Sequence, residues 1–158
     1  MKKLLSLFLL LLPLAFTACS DDDKDLPDVD ITVSMKNVVE DGGYYYVTQQ
    51  KPFIIDSIGI KGNDGKNAMI QNITYRLGPL PVFYTNLPPF GCRFDTSLLT
   101  ADTRYPVNIT FNVLQVDKTI SVAALGYDVV VLKDSTLLPD GKQLGDLTVE
   151  YRLSAKKQ

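Results

Sequence analysis

Val107-Asn108-Ile109-Thr110-Phe111-Asn112-Val113 alternates an apolar and a polar side chain at every step. In an extended chain successive side chains point to opposite faces, so this pattern puts the apolar groups on one face of a strand and Asn108, Thr110 and Asn112 on the other. The same period runs outward from it. Val29, Ile31, Val33 and Met35 alternate with Asp30, Thr32 and Ser34, and Leu147, Val149, Tyr151 and Leu153 close the chain in the same way. Tyr44 to Val47, Phe53 to Ile60, Ile70 to Leu77, Val82 to Tyr84, Phe90 to Phe94, Thr119 to Ala124 and Asp128 to Leu132 are the other strand candidates. Glu40-Asp41-Gly42-Gly43, Gly62 to Asn67 and Leu87-Pro88-Pro89 separate them as turns, and Gly126 marks a bulge between two of the runs. Eight or nine short strands, with no amphipathic helix beyond the N-terminal segment, predict one all-β domain, an antiparallel sandwich or barrel.

The 158 residues are 46% hydrophobic and 22% charged, ordinary usage for a globular chain. There is no histidine and no tryptophan, which excludes a His-based triad, a His-ligated metal and an imidazole switch. No cofactor and no metal are expected. Lys2 and Lys3 lie in a segment read as cleaved; without them 14 of the 16 basic residues face 18 acidic ones, a net of −4. A mildly acidic body repels phosphate backbones, so nucleic acid is not an expected partner.

Residues 1–18 have the layout of a signal peptide, with Lys2 and Lys3 ahead of the apolar stretch Leu4 to Leu14 and the small residues Thr17 and Ala18. Cys19 follows directly, and the segment resembles a bacterial lipoprotein signal in which that cysteine becomes the lipidated first residue. Phe16 stands where that family usually has Leu. Ser20-Asp21-Asp22-Asp23 resembles the surface-export signal of Bacteroidetes lipoproteins. The resemblance implies a membrane-anchored protein of the outer membrane displayed at the cell surface, a periplasm-facing orientation being the alternative. Residues 19–27 then form an acidic tether, and 28–158 the folded domain.

Ile73-Thr74-Tyr75-Arg76-Leu77-Gly78, Val82-Phe83-Tyr84-Thr85, Leu87-Pro88-Pro89-Phe90, Phe94-Asp95-Thr96-Ser97-Leu98 and the Val107 to Val113 strand together resemble a bacterial immunoglobulin-like domain. The resemblance covers about residues 60–120 and implies an immunoglobulin-like sandwich. Asp102-Thr103-Arg104 stands where that family usually has a Gly turn. Tyr105 is placed either to bond its hydroxyl to nearby backbone as a tyrosine corner or to pack at the rim.

Cys92 shares a face with Phe90 and Phe94 and is expected to be a buried small hydrophobe; with no histidine to activate it, cysteine catalysis is excluded. Asp56, Asp95, Asp102, Asp117, Asp128, Asp134 and Asp140 fall mostly at predicted turns, where carboxylates bond backbone N–H groups, and Asp30 points outward. Carboxylate-dependent glycoside hydrolysis is the least favoured function, and the chain is expected not to be an enzyme. Gly62 to Asn67 lacks the acidic spacing of a Ca²⁺ loop. Tyr44, Tyr45, Tyr46, Phe83 and Tyr84 are the candidate binding surface, since alternation turns at least one ring of each cluster away from the core. Asn72-Ile73-Thr74 and Asn108-Ile109-Thr110 match the eukaryotic N-glycosylation pattern but read here as strand-edge polar residues. Ser57 and Ser135 sit in Asp-Ser-Ile and Asp-Ser-Thr triplets that resemble a Bacteroidetes O-glycosylation sequon. The expected role is a non-enzymatic glycan- or protein-binding or accessory module; the alternative is a structural component of a surface fibre or envelope assembly.

Overall fold

The computed structural model describes residues 29–62, 69–114 and 120–153. Cys19, Ser20 to Asp23, the loop through Asn67 and Asp117 lie outside them. The alternating runs form β1 (Val29–Asp41), β2 (Tyr44–Thr48), β3 (Phe53–Gly62), β4 (Met69–Leu77), β5 (Phe83–Thr85), β6 (Cys92–Phe94), β7 (Thr103–Leu114), β8 (Ile120–Leu132) and β9 (Gly145–Leu153). Two 3-10 turns, Thr96–Leu98 and Ser135–Leu137, are each capped by the preceding aspartate, whose carboxylate accepts from the backbone N–H two residues on.

The fold is all-β and sandwich-like. One sheet holds β9, β1, β3 and β6 and the other β5, β4, β7, β8 and β2; β1 pairs with strands of both, so the hydrogen-bonded path is continuous and nearly barrel-shaped. The crossing of β1 depends on Asn37. At φ 59° it is the extra residue where the register against β9 slips between Lys36 and Val38. The inserted residue turns Val38 into the core, while Asn37 Nδ2 donates to the Pro52 carbonyl at 2.8 Å. Beyond it, Val39 to Asp41 pair with β2 across the Gly42-Gly43 turn, where both glycines have the positive φ that a two-residue hairpin requires.

Ile31, Val33 and Met35 of β1, Phe53 and Ile55 of β3, Ile73, Tyr75 and Leu77 of β4, Val107, Ile109 and Phe111 of β7, and Val129 and Val131 of β8 meet in one core. Phe53 stacks on Phe94 with ring centroids 5.9 Å apart. Each such side chain, fully buried, contributes about 1.5–3 kcal/mol.

The structure departs from the sequence reading in four places. The second sheet is mixed, because β2 runs parallel to β8: the tight hairpin after β1 places β2 between the end of β1 and β8, in the direction of β8. β8 passes through Gly126 in unbroken register with β7, so there is no bulge; Gly126 faces outward opposite Asn108 and interrupts no packing. Asp56 and Asp128 lie in strands rather than turns, each holding a cation, Lys36 at 2.8 Å and Arg104 (Nε at 2.7 Å). Asp102 takes the left-handed conformation, φ 56°, where the resemblance called for glycine, and its N–H donates to Val131 O at 2.7 Å. Asp is one of the few residues that adopts this region readily.

Candidate functional site

Ile73, Tyr75 and Leu77 of β4 and Val107, Ile109 and Phe111 of β7 point inward, so the residues between them must point out. Thr74 lies opposite Thr110 and Arg76 opposite Asn108 in the β4–β7 ladder. These four line a shallow concavity of about 300 Å³ on the outer face of the sheet. On β8 the row continues with Ala124 beside Thr110 and Gly126 beside Asn108, which leaves that flank low. A Cβ on Gly126 would sit 3.6 Å from Asn108 Oδ1, an ordinary contact, so glycine here supplies clearance rather than special backbone geometry.

On the other flank, Tyr84 of β5 lies opposite Thr74 and therefore on the same outer face. It is 56% exposed, yet its ring is tied down. Its hydroxyl donates to Asn72 Oδ1 at 2.8 Å and accepts from Asn86 Nδ2 at 2.9 Å, while Asn86 Oδ1 accepts the Asn72 N–H at 2.5 Å. Asn72 reaches this position because it stands, at φ 53°, where the β4–β7 register slips between Gln71 and Thr74. Phe83 alternates to the other side, its ring 6.4 Å from that of Tyr75. Val82 and Leu87 extend an exposed apolar rim beyond β5.

The groove offers hydroxyl, amide and guanidinium groups and a fixed aromatic face, with no carboxylate or thiol among its lining residues. Lys36, Arg104 and Lys142 are each neutralised by an aspartate, whereas Arg76 has no ion pair among the described residues. Such a set can bind a polyhydroxylated ligand by hydrogen bonds and stacking.

Neither a protein-family model nor a curated protein matches the chain.

The predicted binding aromatics do not form one surface. Tyr44, Tyr45 and Tyr46 are on β2 and Phe83 and Tyr84 on β5, with β4, β7 and β8 between them. Tyr45 turns inward against Tyr127, ring centroids 5.2 Å apart, and Tyr46 is half-buried. Tyr44 is exposed but lies under the Arg104 guanidinium, 5.2 Å from its centroid. Cys92 is buried, and desolvation pushes its thiol up to about 12, which removes the thiolate that reactivity requires. Ser57 is half-buried in β3 opposite Ser34, and Ser135 is exposed in the second 3-10 turn. Among the described residues no three His, Cys, Asp or Glu side chains gather as metal ligands.

In the sequence Thr74, Asn108 and Thr110 read as strand-edge polar residues and Arg76 as an ordinary outward position, whereas β4 and β7 are each paired on both sides. The available signal was their kind. Two neighbouring strands carry Asn, Thr and Arg at these positions, side chains suited to directional hydrogen bonding.

Proposed function

We propose that this chain is a lipid-anchored, surface-displayed glycan-binding module. The observation that carries the reading is the pinned ring of Tyr84 beside the groove of Thr74, Arg76, Asn108 and Thr110. A pyranose has an apolar C–H face that stacks on an aromatic ring and an equatorial belt of hydroxyls that takes hydrogen bonds from amides and hydroxyls. A groove open along the sheet admits an extended chain rather than a small enclosed metabolite.

The anchor reading rests on Cys19 and on Ser20 to Asp23, and the acidic tether holds the domain away from an anionic lipid surface. The strand order β1–β3–β6 against β5–β4–β7–β8 supports an immunoglobulin-like assignment, with β9 as an added strand. β9 pairs with β1 along Val29 to Val38, which favours a self-contained module over a fibre subunit that borrows a neighbour's strand.

Glycan-array binding by the purified full chain tests the site: retention of polysaccharide oligomers, lost on Tyr84→Ala with unchanged circular dichroism, is the expected result. Absence of binding to every glycan ends the reading. Incorporation of labelled palmitate, abolished by Cys19→Ser, tests the anchor. Protease shaving of whole cells tests the orientation, since protection of the domain contradicts surface display.

A further inference from the structure

We infer that the groove is selective for acidic glycans, oligosaccharides bearing uronic acids, with the ligand carboxylate taken by Arg76; this rests on the glycan-binding reading above. On the β7–β8 pair the exposed Arg104 is matched by the Asp128 carboxylate, a stabilising cross-strand pair. Directly opposite Arg76 the partner is Asn108, a neutral residue, and the other lining residues are Thr74 and Thr110. The guanidinium thus has no charged partner among the described residues, in a concavity whose remaining groups suit hydroxyls. A planar guanidinium matches a carboxylate in a bidentate pair.

The spacing fits one sugar residue. Arg76 and Asn108 form one row across the sheet, and Tyr84, Thr74 and Thr110 the next, two residues along the strands. Two residues of strand span about 6.8 Å. A pyranose seated on Tyr84 in one row therefore directs its exocyclic carboxylate towards Arg76 in the other. The excess of acidic residues in the chain disfavours indiscriminate capture of polyanions, so selection falls to this local cation and the hydrogen-bonding groups around it.

The test uses the full chain in detergent and titration calorimetry against oligogalacturonate, oligomannuronate and hyaluronan oligosaccharides, each as the free acid and as the carboxyl methyl ester. Esterification deletes the charge and keeps the backbone of the sugar. The expected result is that at least one free acid binds about tenfold or more tightly than its ester, a preference that falls with added salt. Arg76→Gln is expected to weaken the free acid about tenfold more than it weakens the ester, so that the preference is lost. An ester bound as tightly as its acid, or Arg76→Gln weakening both equally, overturns the inference. So does binding confined to neutral or to sulfated oligosaccharides, and each of those results leaves the glycan-binding reading standing. No binding to any glycan overturns both.

Discussion

The Tyr84 hydroxyl donates to Asn72 Oδ1 at 2.8 Å, across the β4–β5 ladder, and this bond fixes an exposed aromatic ring beside the groove. Exposed tyrosines on strands ordinarily exchange rotamers, and a ligand that stacks on one must halt that motion. Here Asn72 and Asn86 hold the ring before any ligand arrives, so less order is lost on binding.

Tyr84→Phe keeps the ring and removes the tether. A neutral hydrogen bond contributes about 0.5–1.5 kcal/mol, so glycan affinity is expected to fall about two- to tenfold, with Asn72→Ala similar. Tyr84→Ala is expected to fall further, by loss of the stacking face. Calorimetry on the three variants orders them, and equal affinity for Tyr84→Phe and the wild type contradicts a role for the tether.

Tyr44→Ala is expected to leave glycan affinity unchanged, because β8, β7 and β4 separate β2 from β5. The substitution removes the face under Arg104, an exposed cation–π contact contributing about 0.5–1 kcal/mol, so a small fall in urea midpoint is its only expected effect. Loss of binding would place the site on β2 instead.

The strands were legible in the sequence because a half-buried strand writes its burial into period-two alternation, as in Val107 to Val113. The irregularities were not. Gly126 looked like a bulge and is regular strand, whereas the register slips at Asn37 and Asn72 fall on asparagines with positive φ. Such slips are set by which strand pairs with which, a non-local fact. The groove was hidden for the same reason. Thr74 and Thr110 are neighbours only because β4 pairs with β7, and Tyr84 is separated from Tyr44 only because β4, β7 and β8 lie between β5 and β2.

Thr96 is fully buried, and its one hydroxyl proton is shared between the carbonyls of Thr48 at 2.7 Å and Lys51 at 2.8 Å. That one side chain ties the first 3-10 turn to the end of β2. Thr96→Val keeps the volume and leaves both carbonyls without this donor, an expected loss of about 1–3 kcal/mol by urea unfolding. A loss below about 0.5 kcal/mol would mean that water replaces the hydroxyl.

Desolvation holds the Tyr75, Tyr127 and Tyr151 hydroxyls well above their ordinary value and the Cys92 thiol up to about 12. For these groups the native state keeps its protons after the unfolded state has released them. Their contribution is full below the unfolded values, about 8.5 for Cys and about 10 for Tyr, and is lost as pH rises through the raised folded values. Stability should therefore fall steeply above pH ~10, with part of the tyrosinate absorbance appearing only on unfolding. At pH 8, iodoacetamide should leave Cys92 unmodified in native protein and modify it in urea, as peptide mass mapping shows; ready native labelling would mean that the core around Cys92 opens.

Gly78 ends β4 at φ 47° and donates its N–H to Pro106 O at 3.0 Å, close against the Tyr105 ring: a Cβ there would lie 2.5 Å from Tyr105 Cδ1. The Tyr105 hydroxyl in turn accepts the Thr100 N–H at 3.1 Å, the backbone bond of a tyrosine corner, so the ring cannot retreat without giving that bond up. Gly78→Ala combines left-handed backbone strain with loss of this bond and is expected to destabilise by about 2–3 kcal/mol. Gly141→Ala is the control, since Gly141 has φ 71° and nothing within 4 Å of its missing Cβ. It carries the backbone strain alone, about 1–2 kcal/mol. The excess for Gly78→Ala measures how firmly the Tyr105–Thr100 bond holds the ring, and adding Tyr105→Ala to Gly78→Ala should abolish that excess.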